Sequence, residues 1–286
     1  MSEYDVVAFA ALGWEARAVL AGLQDVRPAD GPRRWCGRLA DGGTCLVVQT
    51  GMGSARAEAA ARAVPSADAV LSLGCGGGLV PWLRTGDVVV ATEVVQLDGS
   101  CRPGARAAAV VPRVDLGAHE GAVASSPGVL LSIAEKTAAA GCGALLVDME
   151  SWTFADEAER RGVPFAAVRV VLDGVTDELP ALSDAIDAGT GDIDLWRVAR
   201  ALVPKPWIWP AVLRIARQQW EAERRLAEAV ALLLRCHPST WTREDTRDGR
   251  RPAVRDRPVD ERQRLPDLAD SGRRCGGPGG RARHRG

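Results

Sequence analysis

The sequence is poor in several residue types that carry recognisable chemistry, and these scarcities narrow its possible functions. Of the 36 lysines and arginines, only Lys136 and Lys205 are lysines; the excess of arginine accompanies abundant alanine and glycine, which indicates biased base composition rather than selection for phosphate. The three histidines are scattered without zinc-ligand spacing, so we predict no metal. A formal net charge of -1 favours neither nucleic acid nor anionic lipid as a partner.

The sequence also lacks the patterns that predict a disulfide framework, a signal peptide or a membrane span. The seven cysteines include no C-x-x-C pair and are odd in number, which favours a reducing compartment. Residues 1–5 are acidic and lack the basic start of a signal peptide. No apolar run is long enough to cross a bilayer. We therefore expect a cytoplasmic protein. The C-terminal third of the sequence leaves membrane association open as an alternative.

The length and composition predict one large domain with C-terminal additions. At 286 residues and 47% hydrophobic content, the chain can bury a sizeable core. We predict an α/β domain over residues 1–203, an amphipathic helical extension over 204–236 and a disordered Arg/Gly/Pro-rich tail over 237–286. The predicted helix at 211–234 is expected to dock on the domain, to dock on a partner subunit or to contact a membrane surface. Its expected apolar face comprises Val212, Leu213, Ala216, Trp220, Ala227, Val230 and Leu234.

The most informative stretch is a buried strand that ends in two carboxylates. Residues 145–147 are aliphatic, and Asp148, Met149 and Glu150 follow directly. In open α/β sheets, ligands bind where strands end and helices begin. A carboxylate at such a junction can accept two hydrogen bonds from a vicinal diol, which suits a ribose. The alternative is that Asp148 or Glu150 only caps the next helix.

Two further acids follow predicted strands. Glu15 comes after the strand at 6–10, where it can also serve as a first-turn acid of the next helix. Asp173 ends the strand at 165–172 and precedes a glycine, a pair that also forms ordinary turns. Alternating strands and helices predict a mostly parallel sheet with helices on both faces. Acids that follow parallel strands can therefore gather at one edge.

Two glycine-rich segments also follow strands. Gly51 and Gly53 precede an alanine-rich helix, and their backbone is predicted to approach a ligand at the helix start. Arg56 can reach the same ligand or be a solvated surface residue. A second loop is predicted at residues 74–78, where the alternative is a flexible turn. Its candidate contacts are Gly74, Cys75, Gly76 and Gly77, although Cys75 lacks a nearby histidine and is best interpreted as a packing residue.

Two other segments give weaker signals. Residues 98–113 are predicted to form a long loop with a short strand at 109–111. Residues 126–140 are predicted to form a helix with Pro127 at its first position.

Taken in chain order, several motifs resemble the purine nucleoside phosphorylase and 5'-methylthioadenosine/S-adenosylhomocysteine nucleosidase superfamily. Each motif is weak alone, but five in the family's order are specific. The matching segments are Thr50-Gly51-Met52-Gly53, Gly74-Cys75-Gly76-Gly77-Gly78-Leu79, Arg84-Thr85-Gly86-Asp87-Val88, Asp148-Met149-Glu150 and Arg169-Val170-Val171-Leu172-Asp173.

The resemblance implies a fold and a site. The fold would be an α/β, nucleoside phosphorylase-like, three-layer arrangement with a central mixed sheet flanked by helices, here with a C-terminal helical extension. The implied substrate is a purine nucleoside, and the implied assembly is a homo-oligomer. Asp173 would serve the leaving base, Glu150 would bind ribose hydroxyls with Met149 on the sugar face, and Glu15 would orient a water. The glycine loops would hold inorganic phosphate if phosphate is the co-substrate; no other cofactor is implied.

One branch of this superfamily is resembled in more detail. The segments Thr50-Gly51-Met52-Gly53-Ser54-Ala55-Arg56 and Val147-Asp148-Met149-Glu150-Ser151, with a Pro- and Arg-rich helical C-terminus, resemble the hopanoid-associated phosphorylases. That branch implies adenosylhopane, a nucleoside with a large hydrophobic 5' group, as the substrate and adenine as a product. Two positions depart from the family pattern: Leu172 replaces a serine, and Ser72 stands where phosphorolytic relatives have a phosphate-binding arginine. Water therefore remains an alternative nucleophile. A hydrolytic methylthioadenosine nucleosidase and a non-catalytic nucleoside-binding protein are the other hypotheses.

Overall fold

In the part of the chain that the structure describes, ten strands interspersed with helices form one mixed sheet. The computed structural model describes residues 2–112, 114–177 and 209–235, without the side chains of 209–212 and 215. The strands are β1 Tyr4–Ala10, β2 Gln24–Pro28, β3 Arg34–Arg38, β4 Thr44–Gln49, β5 Ala67–Gly78, β6 Val88–Leu97, β7 Pro103–Ala108, β8 His119–Ser125, β9 Leu146–Asp148 and β10 Phe165–Asp173. The helices are α1 Gly13–Ala21, α2 Ser54–Arg62, α3 Ile133–Ala140, α4 Ser151–Arg161 and α5 Trp209–Leu233.

Strand β5 is the centre of the sheet because three strands pair with it. It runs parallel to β1 and β10, and its end at Gly77 and Gly78 pairs antiparallel with β9. Strand β6 pairs with β10 and with β8, and β8 pairs with β9. Because β10 and β9 both pair with β5, these five strands form a closed ring of pairings. Strands β4, β3 and β2 extend the sheet beyond β1. The sheet is thus mixed, as the family resemblance implies, and not mostly parallel.

Helices cover both faces of the sheet. Val19 of α1 and Leu226 of α5 belong to one buried cluster, and Ala57 of α2 and Phe154 of α4 belong to another. The valine- and alanine-rich strands between them are buried on both faces, which is typical of parallel strands in α/β proteins. The predicted three-layer α/β fold is confirmed.

Strand β5 is longer than predicted, because the glycines at 74–78 continue the strand and do not form a loop. Gly74 pairs with Arg169, and Gly77 pairs with Asp173 on the adjacent β10. Glycine normally weakens a strand, but here neighbouring side chains and backbone occupy the space that side chains would need. The segment is therefore a bare backbone surface within the sheet.

Two other boundaries differ from the sequence predictions. The strand in the region 98–113 is β7 at Pro103–Ala108, not 109–111, and it pairs antiparallel with β6. Helix α3 begins at Ile133, because Ser132 and Glu135 form a reciprocal capping box there. The predicted start at Pro127 is wrong.

Helix α5 packs against α1 and β10, but only part of its predicted apolar face is buried. Leu213 and Trp220 are 56% and 67% exposed, so this part of the predicted apolar face does not dock on the domain, and its contact with a partner subunit or a membrane surface stays a prediction. The residues of this helix segment that bury their side chains are Ala222, Leu226, Ala229, Val230, Leu233 and Leu234.

The described residues all belong to one compact unit. None of the helices in that part of the chain is both long and apolar enough to cross a membrane. Residues 178–208 and the predicted disordered tail lie outside the described residues. The division of the chain at 203 and 236 stays a prediction.

Candidate active site

The glycines of β5 form the floor of the candidate site because they let acidic groups approach the backbone. A Cβ atom on Gly74 would lie 2.8 Å from Oε1 of Glu15, and one on Gly77 would lie 3.4 Å from Oδ2 of Asp173. A Cβ atom on Gly76 would lie 2.5 Å from the carbonyl oxygen of Val147 on β9. Gly74 and Gly77 are therefore adjacent to the two predicted catalytic acids, whereas Gly76 permits the sheet to close.

Glu15 is held against β5 by backbone amides. Its Oε2 accepts hydrogen bonds from the amides of Ala11 and Leu12, at 3.0 and 2.8 Å, and its Oε1 accepts one from the amide of Cys75, at 2.9 Å. Burial raises the pKa of the Glu15 carboxyl, and the hydrogen bonds oppose that effect. Both interpretations of Glu15 therefore fit, since it caps α1 and also reaches the glycine floor.

The thiol of Cys75 fits the packing role predicted for it. Burial raises its pKa well above the usual range, and the neighbouring Glu15 raises it further. A thiol in this environment stays protonated and is a poor nucleophile.

Glu150 is fixed by the first glycine loop. The amide of Gly53 donates a hydrogen bond of 2.7 Å to Oε1 of Glu150. Gly51 and Gly53 have φ angles of 79° and 101°, which favour glycine. The Gly53 amide, predicted to contact a ligand, therefore binds Glu150. Met149 is half-buried, and its Cε lies 4.0 Å from where a Cβ of Gly53 would be.

Arg56 lies in the first turn of α2, beside the same loop. Its Nη1 donates a hydrogen bond of 3.1 Å to the carbonyl oxygen of Met52. Its side chain is half-buried, so Arg56 stays a candidate for ligand contact.

Asp148 has a different environment from the one predicted for a sugar ligand. Nε of Arg169 donates to its Oδ2 at 2.7 Å, and both side chains are almost fully buried. The hydroxyl and amide of Ser151 also donate to this carboxylate. Because these groups occupy Asp148, we reassign it from substrate contact to positioning. Asp148 also accepts a hydrogen bond from the amide of Ser151, the first residue of α4, but the N-cap position itself is Glu150, whose side chain makes no cap bond.

Arg169 was not predicted as a site residue, although it lies in a motif that carries the resemblance. Besides Asp148, its guanidinium donates to the hydroxyls of Ser72 and Ser151, at 2.6 and 2.8 Å. Ser72 is the residue for which the resemblance implied a phosphate-binding arginine in phosphorolytic relatives. Its hydroxyl and the guanidinium of Arg169 are thus bound to each other.

A small cavity brings Glu15 and Glu150 together. Stacked rings of Phe9 and Phe154, with centroids 4.2 Å apart, contribute to its wall. Asp173 does not line this cavity. It is the last residue of β10 and lies beside Gly77, nearer the end of β5. The cavity is lined by Phe9, Ala11, Glu15, Ser72, Leu73, Gly74, Cys75, Glu150, Phe154 and Arg169.

Asp173 forms a buried ion pair with Lys136 of α3. Burial raises the pKa of the Asp173 carboxyl, while the Lys136 ammonium lowers it. The sequence reasoning missed Lys136, although one of only two lysines in an arginine-rich chain was a usable signal. The hydroxyl of Thr85, in the R-x-G-D-V turn, donates to the carbonyl oxygen of Leu172 at 3.0 Å and so supports the end of β10.

The ionisation of Glu150 should make folding stability depend on pH. Burial, followed by the charge of Asp148, raises the pKa of Glu150 from 4.5 to about 7. The folded state therefore binds this proton more tightly than the unfolded state, and stability falls as the pH rises from about 5 through about 7. At about 1.4 kcal/mol per pH unit, the loss reaches about 3 kcal/mol. We expect Glu150→Gln to remove this fall while keeping the hydrogen bond from Gly53.

Urea unfolding at several pH values between 5 and 8 measures this effect. Glu120→Gln is the matched control, because Glu120 is exposed. The same pH slope in wild type and Glu150→Gln would show that Glu150 does not cause it.

The mixed sheet with buried carboxylates beside a glycine floor is typical of an α/β ligand-binding or catalytic domain. Sequence comparison identifies the family of this domain. The sequence model described as the phosphorylase superfamily matches residues 5–191. The chain belongs to this superfamily, so the predicted enzyme class of nucleoside phosphorylases and nucleosidases is confirmed. A comparison with curated proteins gives no match.

Solved structures share the fold at low sequence identity. The 5'-methylthioadenosine/S-adenosylhomocysteine nucleosidase from Neisseria meningitidis, in complex with methylthio-immucillin-A, has a TM-score of 0.59 at 20% identity, covering 80% of this chain and 98% of the other. The S-adenosylhomocysteine nucleosidase from Streptococcus pyogenes, in complex with 5-methylthiotubericidin, has a TM-score of 0.58 at 18% identity, covering 82% and 98%.

Proposed function

We propose that the protein hydrolyses the N-glycosidic bond of a purine nucleoside. The observation that carries this proposal is the pair of buried carboxylates, Glu15 and Glu150, in one cavity. Asp173, the last residue of β10, lies beside Gly77 of β5. Cleavage of this bond builds positive charge on the sugar and negative charge on the base. Carboxylates suit the sugar side, and a protonated acid suits the base.

Each acid has a role that matches its surroundings. Glu150, fixed by Gly53, accepts hydrogen bonds from ribose hydroxyls, and Met149 packs against the sugar. Glu15 orients a water molecule and takes its proton as the water attacks C1' of the ribose. Asp173 gives a proton to N7 of the purine as the bond from C1' to N9 breaks. Raised pKa values suit Asp173 as an acid and Glu15 as a base.

The charges around the cavity favour water over phosphate. When Glu15 and Glu150 are ionised, an anion there would face two negative charges, and like charges at short range are unfavourable. Arg169, the arginine of the cavity wall, already binds Asp148 and the hydroxyls of Ser72 and Ser151. Among the residues that line this cavity, no other side chain carries a positive charge.

The nucleophile can be tested by incubating the protein with purine nucleosides in phosphate-free buffer made with ¹⁸O-water. We expect full release of the base and one ¹⁸O atom on C1' of the free sugar. Added phosphate should not change the rate. Release that requires phosphate, with sugar phosphate as product, would contradict hydrolysis. 5'-Methylthioadenosine is the first substrate to test, because the first two structural relatives described above bind 5'-methylthio compounds.

The glycine floor gives a prediction with a matched control. In Gly74→Ala the new methyl group would lie 2.8 Å from Oε1 of Glu15, so this carboxylate must move. We expect the rate of base release to fall about 100-fold, since a misplacement of about 1 Å can cost that much. Gly128→Ala is the control, because nothing lies within 4 Å of its added Cβ. Equal rates for both variants would exclude Glu15 from catalysis.

A second candidate is phosphorolytic release of adenine from adenosylhopane. The exposed Leu213 and Trp220 on α5 favour it, because a lipid-tailed substrate requires access to a membrane surface. Flotation with phospholipid vesicles tests this contact in the full chain. Binding that is lost in Leu213→Ser/Trp220→Ser would support it, and no binding by wild type would count against it. We also propose a homo-oligomer, which light scattering can test.

A further inference from the structure

Lys136 is fully buried and uses all three of its hydrogen-bond donors. Its side chain is 1% exposed. The ammonium donates to Oδ2 of Asp173. It also donates to the carbonyl oxygens of Gly174 and Asp177, each at 2.8 Å. Three donors thus meet three acceptors. Lys136 therefore fixes the Asp173 carboxylate relative to the segment that follows β10.

The two oxygens of Asp173 are not equivalent as a result. Oδ2 is occupied by the ammonium of Lys136, whereas Oδ1 accepts no hydrogen bond from the part of the chain that the structure describes. We propose that Lys136 is a positioning residue that leaves Oδ1 as the oxygen of Asp173 that carries the proton for the leaving base. This inference rests on the proposed function, because it concerns how the same acid is prepared.

The choice of lysine over arginine supports this role. The sequence uses arginine almost everywhere, yet a lysine lies beside Asp173. A guanidinium tends to bind both oxygens of a carboxylate at once, whereas an ammonium acts as a single point charge. Lysine can therefore bind one oxygen of Asp173 and leave the other available.

The charged and titratable groups around Asp173 come from four parts of the fold. Lys136 faces it from α3, Cys75 from β5, Asp177 from the segment after β10 and Arg214 from α5. Arg214 donates to Oδ1 of Asp177 at 3.2 Å, so Lys136 is the cation in direct contact with Asp173. The ammonium lowers the pKa of Asp173. Loss of the ammonium should raise that pKa.

The test measures kcat/KM for base release against pH in the full chain. Activity requires protonated Asp173, so it falls as the pH rises through the pKa of that carboxyl. In Lys136→Met and Lys136→Gln we expect this alkaline limb to move up by about 1 to 3 pH units, the effect of one close opposite charge. In Lys136→Arg the charge is kept, so the limb should not move up, while kcat falls because the guanidinium also binds Oδ1. Arg102→Met, which removes an exposed cation, is the control.

A purely structural role for Lys136 would lower thermal stability without moving the pH profile. Unchanged limbs in folded Lys136→Met or Lys136→Gln would therefore overturn the proposal. If only Lys136→Arg folds, its alkaline limb decides the outcome. An upward shift of about one pH unit or more would overturn the proposal, because the positive charge beside Asp173 is kept in this variant. If wild type releases no base from any nucleoside tested, the proposed function itself fails.

Discussion

Asp173→Asn is expected to reduce the rate of purine release by about 10²–10⁴-fold, the usual contribution of a positioned general acid. Asparagine keeps an oxygen that can accept the hydrogen bond from Lys136, but it has no proton to give to the base. The rate is measured as free base by liquid chromatography at saturating substrate. Circular dichroism and the melting temperature show whether the variant is folded.

The matched control is Asp156→Asn, which removes an exposed acid of α4 that pairs with Arg160. It should keep the wild-type rate. A folded Asp173→Asn variant with the wild-type rate would rule out the acid role of this residue.

Arg169→Met is expected to lower the free energy of unfolding by about 3–5 kcal/mol, because it leaves the buried charge of Asp148 without its partner. Typical proteins are stable by only about 5–15 kcal/mol, so this variant should be marginally folded. The loss is measured by urea unfolding at pH 7. The hydroxyls of Ser72 and Ser151 would also lose their donor.

Two controls separate the buried pair from ordinary surface charge. Asp148→Leu combined with Arg169→Met removes both buried charges and should recover most of the stability. Arg62→Met breaks an exposed pair with Glu58 and should cost at most about 1 kcal/mol. A double variant as unstable as Arg169→Met would show that the network is needed for more than charge balance.

The sequence predicted the strands, the helices and the acids at their junctions because these features have local signals. Glu15 follows β1 and Asp173 ends β10, and these strands run parallel to β5 on either side of it, as expected for such a sheet. Glu150 follows β9, which is antiparallel to β5, so its approach to Glu15 was not predictable from that rule. The rule does not say which carboxylate is free. Asp148 and Glu150 look alike in sequence, but only the folded chain places Arg169 beside Asp148.

Contacts between distant segments were not predictable in the same way. Lys136 belongs to α3 and carries no motif, and the partner of its ammonium lies 37 residues away. The glycines at 74–78 indicated a loop because glycine disfavours strands, yet β10 pairs with them and keeps them extended. On α5, helical periodicity cannot show which turns reach the sheet, so it did not distinguish the exposed Trp220 from the buried Val230 on the predicted apolar face.

The most direct measurement is a crystal structure with a purine nucleoside analogue whose glycosidic bond cannot be cleaved. The ribose hydroxyls should lie about 3 Å from the Glu150 carboxylate, a normal hydrogen-bond distance. N7 of the purine should lie beside Oδ1 of Asp173, and Glu15 should face C1' of the sugar. An analogue bound elsewhere, or a sugar in contact with none of these acids, would contradict the site.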